Sequence, residues 1–318
     1  MRKRNLASAI TKSWFDGVSV LDSRLFLIKI NMNEHGLNLL SYFDGISCGR
    51  IAADRAGLKI ENYFACEIKP HAIKCSKNNY PDIIQKGSVL EIDLTELPVI
   101  DLLIGGSPCK GISRLNKNQE GLAHKESKLF WEYVNALKSL RKRNPDILFL
   151  LENTHGNKEA TDTITEVLGV NPISINSKLV SAQNRPRYYW TNIPGVIQPI
   201  DKNIITNDVF DYSGEVVADN RIKWLTGESG INSVKSGYTR INPFPKSGCL
   251  TANGHKKWNE NYLLKDGVYR YLSQNELEKL QTLPIGYTDC LTYEEAYDCI
   301  GDGWTVDVIA HIFKNISL

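Results

Sequence analysis

The sequence predicts an α/β fold: a doubly wound, mostly parallel sheet with helices on both faces, joined to a small loop-rich region. Three observations carry this. Short apolar runs of strand length (LNLLSYF, NYFACEI, DLLI, DILFLL) alternate with segments of helical periodicity from Leu37 to about residue 170. The runs are nearly unbroken in apolar residues, as strands buried on both faces are. From about Gly195 the chain turns polar, rich in Asn, Asp, Ser and Gly, with no long apolar run.

Composition narrows the class. A chain of 318 residues suffices for one large domain or a main domain with a smaller one attached. The formal net charge is +2, so a nucleic-acid face would have to be a local basic patch. Seven cysteines, scattered without CxxC, argue against a disulfide framework and a structural metal, and for a reducing compartment such as the cytoplasm. No apolar run is long enough for a transmembrane helix, and the basic start MRKRN lacks the apolar core of a signal peptide. Residues 1–35, with an apolar LFLIKI that suits an edge strand, read as an extension of unknown role.

The elements follow in order. LNLLSYF is a strand, DGISCG a glycine turn, and CGRIAADRAGL a helix. Asn62–Ile68 is the second strand and ends at Glu67, 22 residues after Gly45. A glycine turn followed by an acid at that spacing holds a nucleoside ribose, although ordinary turn glycines fit equally. The turn lacks GxGxxG, so no dinucleotide is indicated. A helix over Pro70–Asn79 and a short element near Gly87–Ile92 come next.

Asp101–Ile104 is a buried strand, and Gly105 and Gly106 let the backbone leave it sharply. Cys109, after Pro108, then sits at the carboxyl end of a strand, where open α/β sheets place their ligands. Lys110 and Arg114 lie near it in sequence, and positive charge favours a thiolate; a nucleophile and an inert core cysteine stand about even. Leu129–Arg143 reads as a helix with a basic last turn, stopped by Pro145. Asp146–Leu151 is a further buried strand that delivers Glu152 and Asn153. Burial would raise the Glu152 pKa, whereas a solvated strand-end acid would be unperturbed. Cys109 and Glu152 project from the same sheet edge and can face one ligand.

In QNRPRYYW, Arg185 and Arg187 are two apart and share a face if extended. Two guanidiniums suit a carbonyl oxygen, a carboxylate or a phosphate, or they are surface arginines. Tyr188, Tyr189 and Trp190 read as core strand residues. Arg240, Lys246, His255, Lys256 and Lys257 form a basic stretch that fits either phosphate contact or a solvated loop. Ser273 and Glu276 make a capping box for a helix over Gln274–Leu283, and Gly301–Phe313 reads as a turn plus an amphipathic helix.

In this order the motifs resemble those of the C5-cytosine DNA methyltransferases, over roughly residues 37–193 and 240–315. FDGISCG resembles the first cofactor motif, GGSPC the nucleophile motif, ENT the ENV motif and QNRPR the arginine motif. RINPFPKSGCLTA resembles the motif that supports target recognition, and GDGWTVDVIAHIF the terminal motif. FDGI, RYYW and Trp304–Val306 look closest to the de novo branch and its small phage and bacterial relatives.

The resemblance implies a methyltransferase-type, Rossmann-like sheet. It implies transfer of methyl from S-adenosylmethionine to C5 of a flipped-out cytosine in duplex DNA. Cys109 would attack C6, Glu152 would meet N3 and Arg187 O2, and Arg185 would hold the acid or adjacent backbone. The cofactor would touch Phe43, Asp44, Gly45, Ile46, Cys48, Glu67, Ile68, Ser88, Val89, Gly106, Gly303 and Trp304. Ser113, Arg114, Arg240, Lys246, His255, Lys256 and Lys257 would face DNA, with Lys110–Gly121 closing over the base.

The implied organisation is an extension (1–35), a catalytic and cofactor-binding domain (36–194), a target-recognition region (195–258) and a C-terminal segment returning to the catalytic domain (259–318). Gly87-Ser88-Val89 stands where relatives often carry an acid, and Asp302-Gly303 replaces side chains that often contact cofactor. A tRNA cytosine-5 methyltransferase shares these motifs, but its CFT tripeptide is absent. A non-catalytic DNA-binding relative is opposed by the joint presence of Cys109, Glu152, Arg185 and Arg187. The implied setting is the cytoplasm of a bacterial or phage-infected cell. A restriction–modification partner, a phage genome and an orphan gene fit alike.

Overall fold

The central strands form because their side chains alternate between two apolar faces. In β1 (Leu37–Tyr42), Leu37 and Leu39 enter one core while Leu40 and Tyr42 enter the other. In β4 (Leu102–Gly106), Leu102 and Ile104 oppose Leu103; in β5 (Leu148–Thr154), Leu150 opposes Phe149 and Leu151. With both faces dry, the backbone polar groups find their partners in neighbouring strands.

The computed structural model describes residues 36–108, 129–156, 158–242, 244–252, 254–256 and 260–316. It adds β2 (Ile60–Cys66), β3 (Ile84–Gln85), β6 (Ile173–Asn176) and β7 (Pro186–Thr191) to a sheet of order β3-β2-β1-β4-β5-β7-β6. The pairs from β3 to β5 are parallel, and β7 runs antiparallel between β5 and β6. Buried residues of α1 (Cys48–Ala56) and α2 (Pro70–Asn79) fill one face. Those of α3 (Leu129–Arg141) and α4 (Lys158–Leu168) fill the other. The doubly wound sheet is therefore as expected. The short element expected over Gly87–Ile92 is not there; the pairing strand is β3, and a 3-10 turn follows at Leu94–Glu96. LFLIKI lies outside the described residues.

The polar region after Gly195 is more regular than its composition suggests. It holds α5 (Thr206–Val209), α6 (Asp219–Thr226) and α7 (Glu228–Lys235). Helices of one or two turns show too few apolar repeats to stand out in sequence. A small core of Val217, Leu225 and Tyr262 supports them. β8 (Arg240–Asn242), β9 (Asn261–Lys265) and β10 (Val268–Arg270) form a second sheet, with an Asp266-Gly267 turn at positive φ between the last two. This sheet pairs strands from either side of residue 258.

The C-terminal segment returns to the main sheet. α8 (Gln274–Leu280) carries the Ser273/Glu276 capping box but stops before Leu283. An unanticipated α9 (Tyr293–Asp302) starts at a Thr292/Glu295 capping box and takes in Gly301 and Asp302, which were expected in a turn. α10 (Val306–Phe313) packs on α1 with Val306, Val308, Ile309, Ala310, Ile312 and Phe313 buried. Among the described residues no helix is long and apolar enough to cross a membrane.

A polar clasp sets the register of this return. Buried Gln183 donates to Gln281 Oε1 (3.0 Å) and to the Leu280 carbonyl (3.1 Å). Gln281 Nε2 donates to the carbonyls of Ile300 (2.9 Å) and Gly303 (3.0 Å), and its Oε1 accepts from Thr305 Oγ1 (2.7 Å). Gln281→Leu would leave several of these groups buried without partners, each costing about 1–3 kcal/mol. Urea unfolding of this variant should show a loss of at least about 3 kcal/mol.

Candidate active site

The site is built at the carboxyl ends of β4 and β5, where Gly106 pairs in register with Glu152. Cys109, Lys110–Gly121, Ser113 and Arg114 lie outside the described residues. The approach to Cys109 is held from β5: Asn153 Nδ2 donates to Ser107 Oγ (3.1 Å) and to its carbonyl (3.3 Å). Asn153 was legible as a strand-end residue, but nothing in the sequence showed its tie to Ser107.

Glu152 is 9% exposed. Arg187 Nε lies 2.9 Å from its Oε1, and Trp304 Nε1 donates to its Oε2 at 3.0 Å. A Cβ on Gly106 would sit 2.9 Å from Trp304 Nε1 and 3.1 Å from Glu152 Oε2, so only glycine allows this approach. Burial works against the Arg187 charge, but Cys249, Glu152 and Tyr189 together outweigh it and raise its pKa.

Arg185 does not hold the acid. Its guanidinium donates to the carbonyls of Leu250 (2.7 Å), Gly303 (2.9 Å) and Gly301 (3.2 Å), which fastens the C-terminal segment instead. The two arginines do share a face, because both reach Cys249 Sγ, at 3.3 and 3.8 Å. Burial alone would push the Cys249 thiol up, but the two guanidiniums outweigh it and lower its pKa. Nothing in the sequence marked Cys249. Tyr189 and Trp190 are core residues as expected, while half-buried Tyr188 stacks on His155.

The glycine turn closes against β2. Glu67 accepts from the backbone N–H of Gly45 (2.8 Å), Ile68 (2.8 Å) and Lys69 (2.9 Å). A carboxylate has about four acceptor sites, so roughly one remains on Oε2. Gly45 has positive φ and open space where a Cβ would stand, and Ile68 is 70% exposed beside Glu67. An open glycine cradle beside an acceptor and an uncovered apolar side chain fits a nucleoside. Half-buried Phe43 holds positive φ, a strained backbone for a bulky residue.

Other expected cofactor contacts face inward. Asp44 is buried and accepts from Ser47 Oγ and from Tyr63 OH (2.7 Å). Ile46 and Cys48 are sealed in the core, the Ile46 carbonyl accepts from Tyr287 OH (2.7 Å), and burial pushes the Cys48 thiol up to about 12. These three support the turn rather than line its open side. Ser88 Oγ accepts from the Leu90 N–H (3.1 Å), with Val89 half-buried next to it. Gly303 gives its carbonyl to Arg185 and Gln281. Asp302 pairs with Lys69 (2.6 Å).

The residues expected to face DNA divide. Lys246 is corrected: its ammonium donates to the carbonyls of Lys178 (2.7 Å), Ser181 (3.1 Å) and Ile204, which leaves no N–H for a phosphate. His255 is corrected likewise, since its side chain is 9% exposed, 3.4 Å from Asp298 and against the Tyr297 ring. Arg240 is half-buried over Phe244. Lys256 is largely exposed, 3.8 Å from Asp298. Lys257 lies outside the described residues. Among those residues no group of three or more His, Cys, Asp or Glu could hold a metal.

Burial pushes the Asp44 carboxyl up to about 6, against hydrogen bonds from Ser41, Ser47 and Tyr63 that lower it. The folded chain thus keeps this proton to about pH 6, while the unfolded chain releases it near pH 4. The contribution to stability is complete below about pH 4 and is lost as the pH rises to about 6. Asp44→Asn should flatten this decline by on the order of 3 kcal/mol, read from urea midpoints between pH 4 and 7.

Comparison with known proteins gives the family and the fold. The C-5 cytosine-specific DNA methylase family matches residues 37–193 and 159–318. The Type II methyltransferase M1.ScrFI of Lactococcus lactis subsp. cremoris is 30% identical over 316 residues, 87% of this chain and 77% of that protein. The Type II methyltransferase M.NgoBV of Neisseria gonorrhoeae is 30% identical over 174 residues, 49% of this chain and 40% of that protein. The orphan methyltransferase M.SPRI of Bacillus phage SPR is 30% identical over 180 residues, 52% and 39% respectively. The chain thus spans about 40% of the length of these last two relatives.

Among solved structures, the Entamoeba histolytica methyltransferase EhMeth shares the fold with a TM-score of 0.67 at 17% identity, covering 89% of this chain and 98% of that one. Spodoptera frugiperda DNMT2 does so at 0.64 and 16%, covering 88% and 99%. The family match takes in the glycine turn, both strand ends, the two arginines and the C-terminal return. The chain belongs to the C-5 cytosine-specific DNA methylase family.

Proposed function

We propose that this chain is an S-adenosylmethionine-dependent DNA (cytosine-5-)-methyltransferase that acts on a cytosine flipped out of duplex DNA. The observation that carries the reading is the Glu152 carboxylate. It is fixed by Arg187 and Trp304 on the strand beside the one that leads to Cys109. Phe43, Gly45, Glu67, Ile68, Ser88, Val89 and Trp304 would hold the cofactor, which supplies an electrophilic methyl group when bound.

Cytosine C5 is too weak a nucleophile to take that methyl unaided. The Cys109 thiolate adds to C6 and sends electron density toward N3 and O2. Glu152 in its protonated form donates to N3 and supports that charge, so C5 becomes enamine-like, and the proton returns to Glu152 when the ring is restored. Arg187 donates toward O2 with the N–H groups not taken by Glu152, Pro186 and Cys249. After methylation a base removes the C5 proton, the C6–S bond breaks and Cys109 regains its thiolate. These ring atoms are stacked in a duplex, so the base must be extruded. Residues 195–258, extended by β9 and β10, form the recognition region in this reading, with Ser113, Arg114, Arg240, Lys256 and Lys257 toward DNA. The setting is cytoplasmic.

Cys109→Ser should abolish incorporation of labelled methyl into duplex DNA while DNA binding persists. Wild-type-like incorporation by that variant, or label entering tRNA rather than DNA, overturns the reading. Glu152→Gln should lower kcat by about 10² to 10⁴, the contribution typical of acid–base assistance. Duplex carrying 5-fluorocytosine should trap a covalent adduct with the wild type and none with Cys109→Ser.

A further inference from the structure

We propose that Trp304 is a positioning residue for Glu152: its indole N–H holds the second carboxylate oxygen and so fixes the plane of the acid. This rests on the reading of Glu152 as the group that meets the base.

Indole Nε1 can only donate, so at 3.0 Å from Oε2 its role in the contact is unambiguous. The other oxygen is held by Arg187 Nε at 2.9 Å. One donor alone would leave the carboxyl free to turn about a single contact. Two donors, one on each oxygen, set both its position and its plane. They arrive from different parts of the chain, Arg187 from β7 and Trp304 from the connection between α9 and α10.

The indole is itself held on both sides. The Gly303 carbonyl accepts from Arg185 and Gln281, and Thr305 Oγ1 is bonded to Gln281 Oε1 (2.7 Å) and Ser177 Oγ (2.8 Å). The ring passes over Gly106, and a Cβ on Gly49 in the first turn of α1 would stand 3.6 Å from its Cζ3. One rigid side chain thus spans from the glycine turn to the acid. Ring and N–H have separate tasks: the ring packs between the turn and β4, and the N–H orients Glu152.

Trp304→Phe keeps an aromatic ring at this position and deletes the donor, so it weighs these tasks against each other. It should lower kcat about 10-fold, as loss of a hydrogen bond to a charged group does. The fall in kcat should exceed any change in the KM for S-adenosylmethionine or the Kd for S-adenosylhomocysteine, since an aromatic ring remains where the indole stood. In a Glu152→Gln background the same change should alter kcat by less than about twofold, because the coupling runs through that carboxylate. As a readout independent of turnover, the Trp304 indole N–H resonance, assigned by its loss in Trp304→Phe, should move upfield in Glu152→Gln.

A Trp304→Phe variant with wild-type kcat overturns the inference. So does an equal fall in both backgrounds, or a change confined to cofactor KM. An indole resonance unmoved by Glu152→Gln also overturns it, and that result needs no activity. A wild-type chain that puts no methyl on cytosine removes the reading beneath it, a failure distinct from an active wild type with an indifferent Trp304→Phe.

Discussion

A carboxylate on a side chain with only about a tenth of its surface open needs a partner for each oxygen, because an unpaired buried charge is among the most costly features a fold can carry. Glu152 meets this demand with Arg187 on one oxygen and Trp304 on the other. Its own strand supplies neither. Arg187 comes from the antiparallel neighbour and Trp304 from the C-terminal return, more than a hundred residues on in the chain. The acid therefore reaches its final environment only when the last part of the chain has docked. Completing the fold and completing the site are one event.

That docking depends on polar contacts as much as on apolar area. α10 covers α1 with aliphatic side chains, but aliphatic contact tolerates sliding. Arg185, Gln183 and Gln281 do not tolerate it, since their donors meet carbonyls at fixed spacings along residues 250, 280, 300, 301 and 303. Satisfied buried networks of this kind specify one arrangement over near alternatives. Here the arrangement they specify is the one that puts the indole of Trp304 over Gly106. The absence of a side chain at Gly106 is as necessary as the networks, because a Cβ there would crowd both the donor and the acid.

The glycine turn follows the same logic at smaller scale. Asp44 is buried beneath it and takes the hydroxyls of Ser47 and Tyr63, while Glu67 takes three backbone N–H groups. The turn is held from below and from the side, which leaves its upper surface at Gly45 open. A loop fixed before its ligand arrives loses less conformational freedom on binding than one that must first be ordered.

Apart from β3, α4 and β6, the order of the main-sheet strands and the helices between them was legible in the sequence, because periods of two and of 3.6 are properties of neighbouring residues. So was the meeting of two strand ends, those leading to Cys109 and to Glu152, at one sheet edge, which parallel topology imposes; the register of Gly106 with Glu152 came from the structure. The short helices after Gly195 were not legible, since one or two turns carry too little pattern. The roles of individual charges were decided by tertiary contacts alone. Lys246 looks like a phosphate ligand until carbonyls from residues 178, 181 and 204 converge on it. Arg185 and Arg187 look equivalent until one meets backbone and the other a carboxylate. Local sequence sets which element a side chain rides on. Which groups then share a dry space is set by chain segments far apart, and inside that space a charge takes its meaning from whatever partner is near enough to satisfy it.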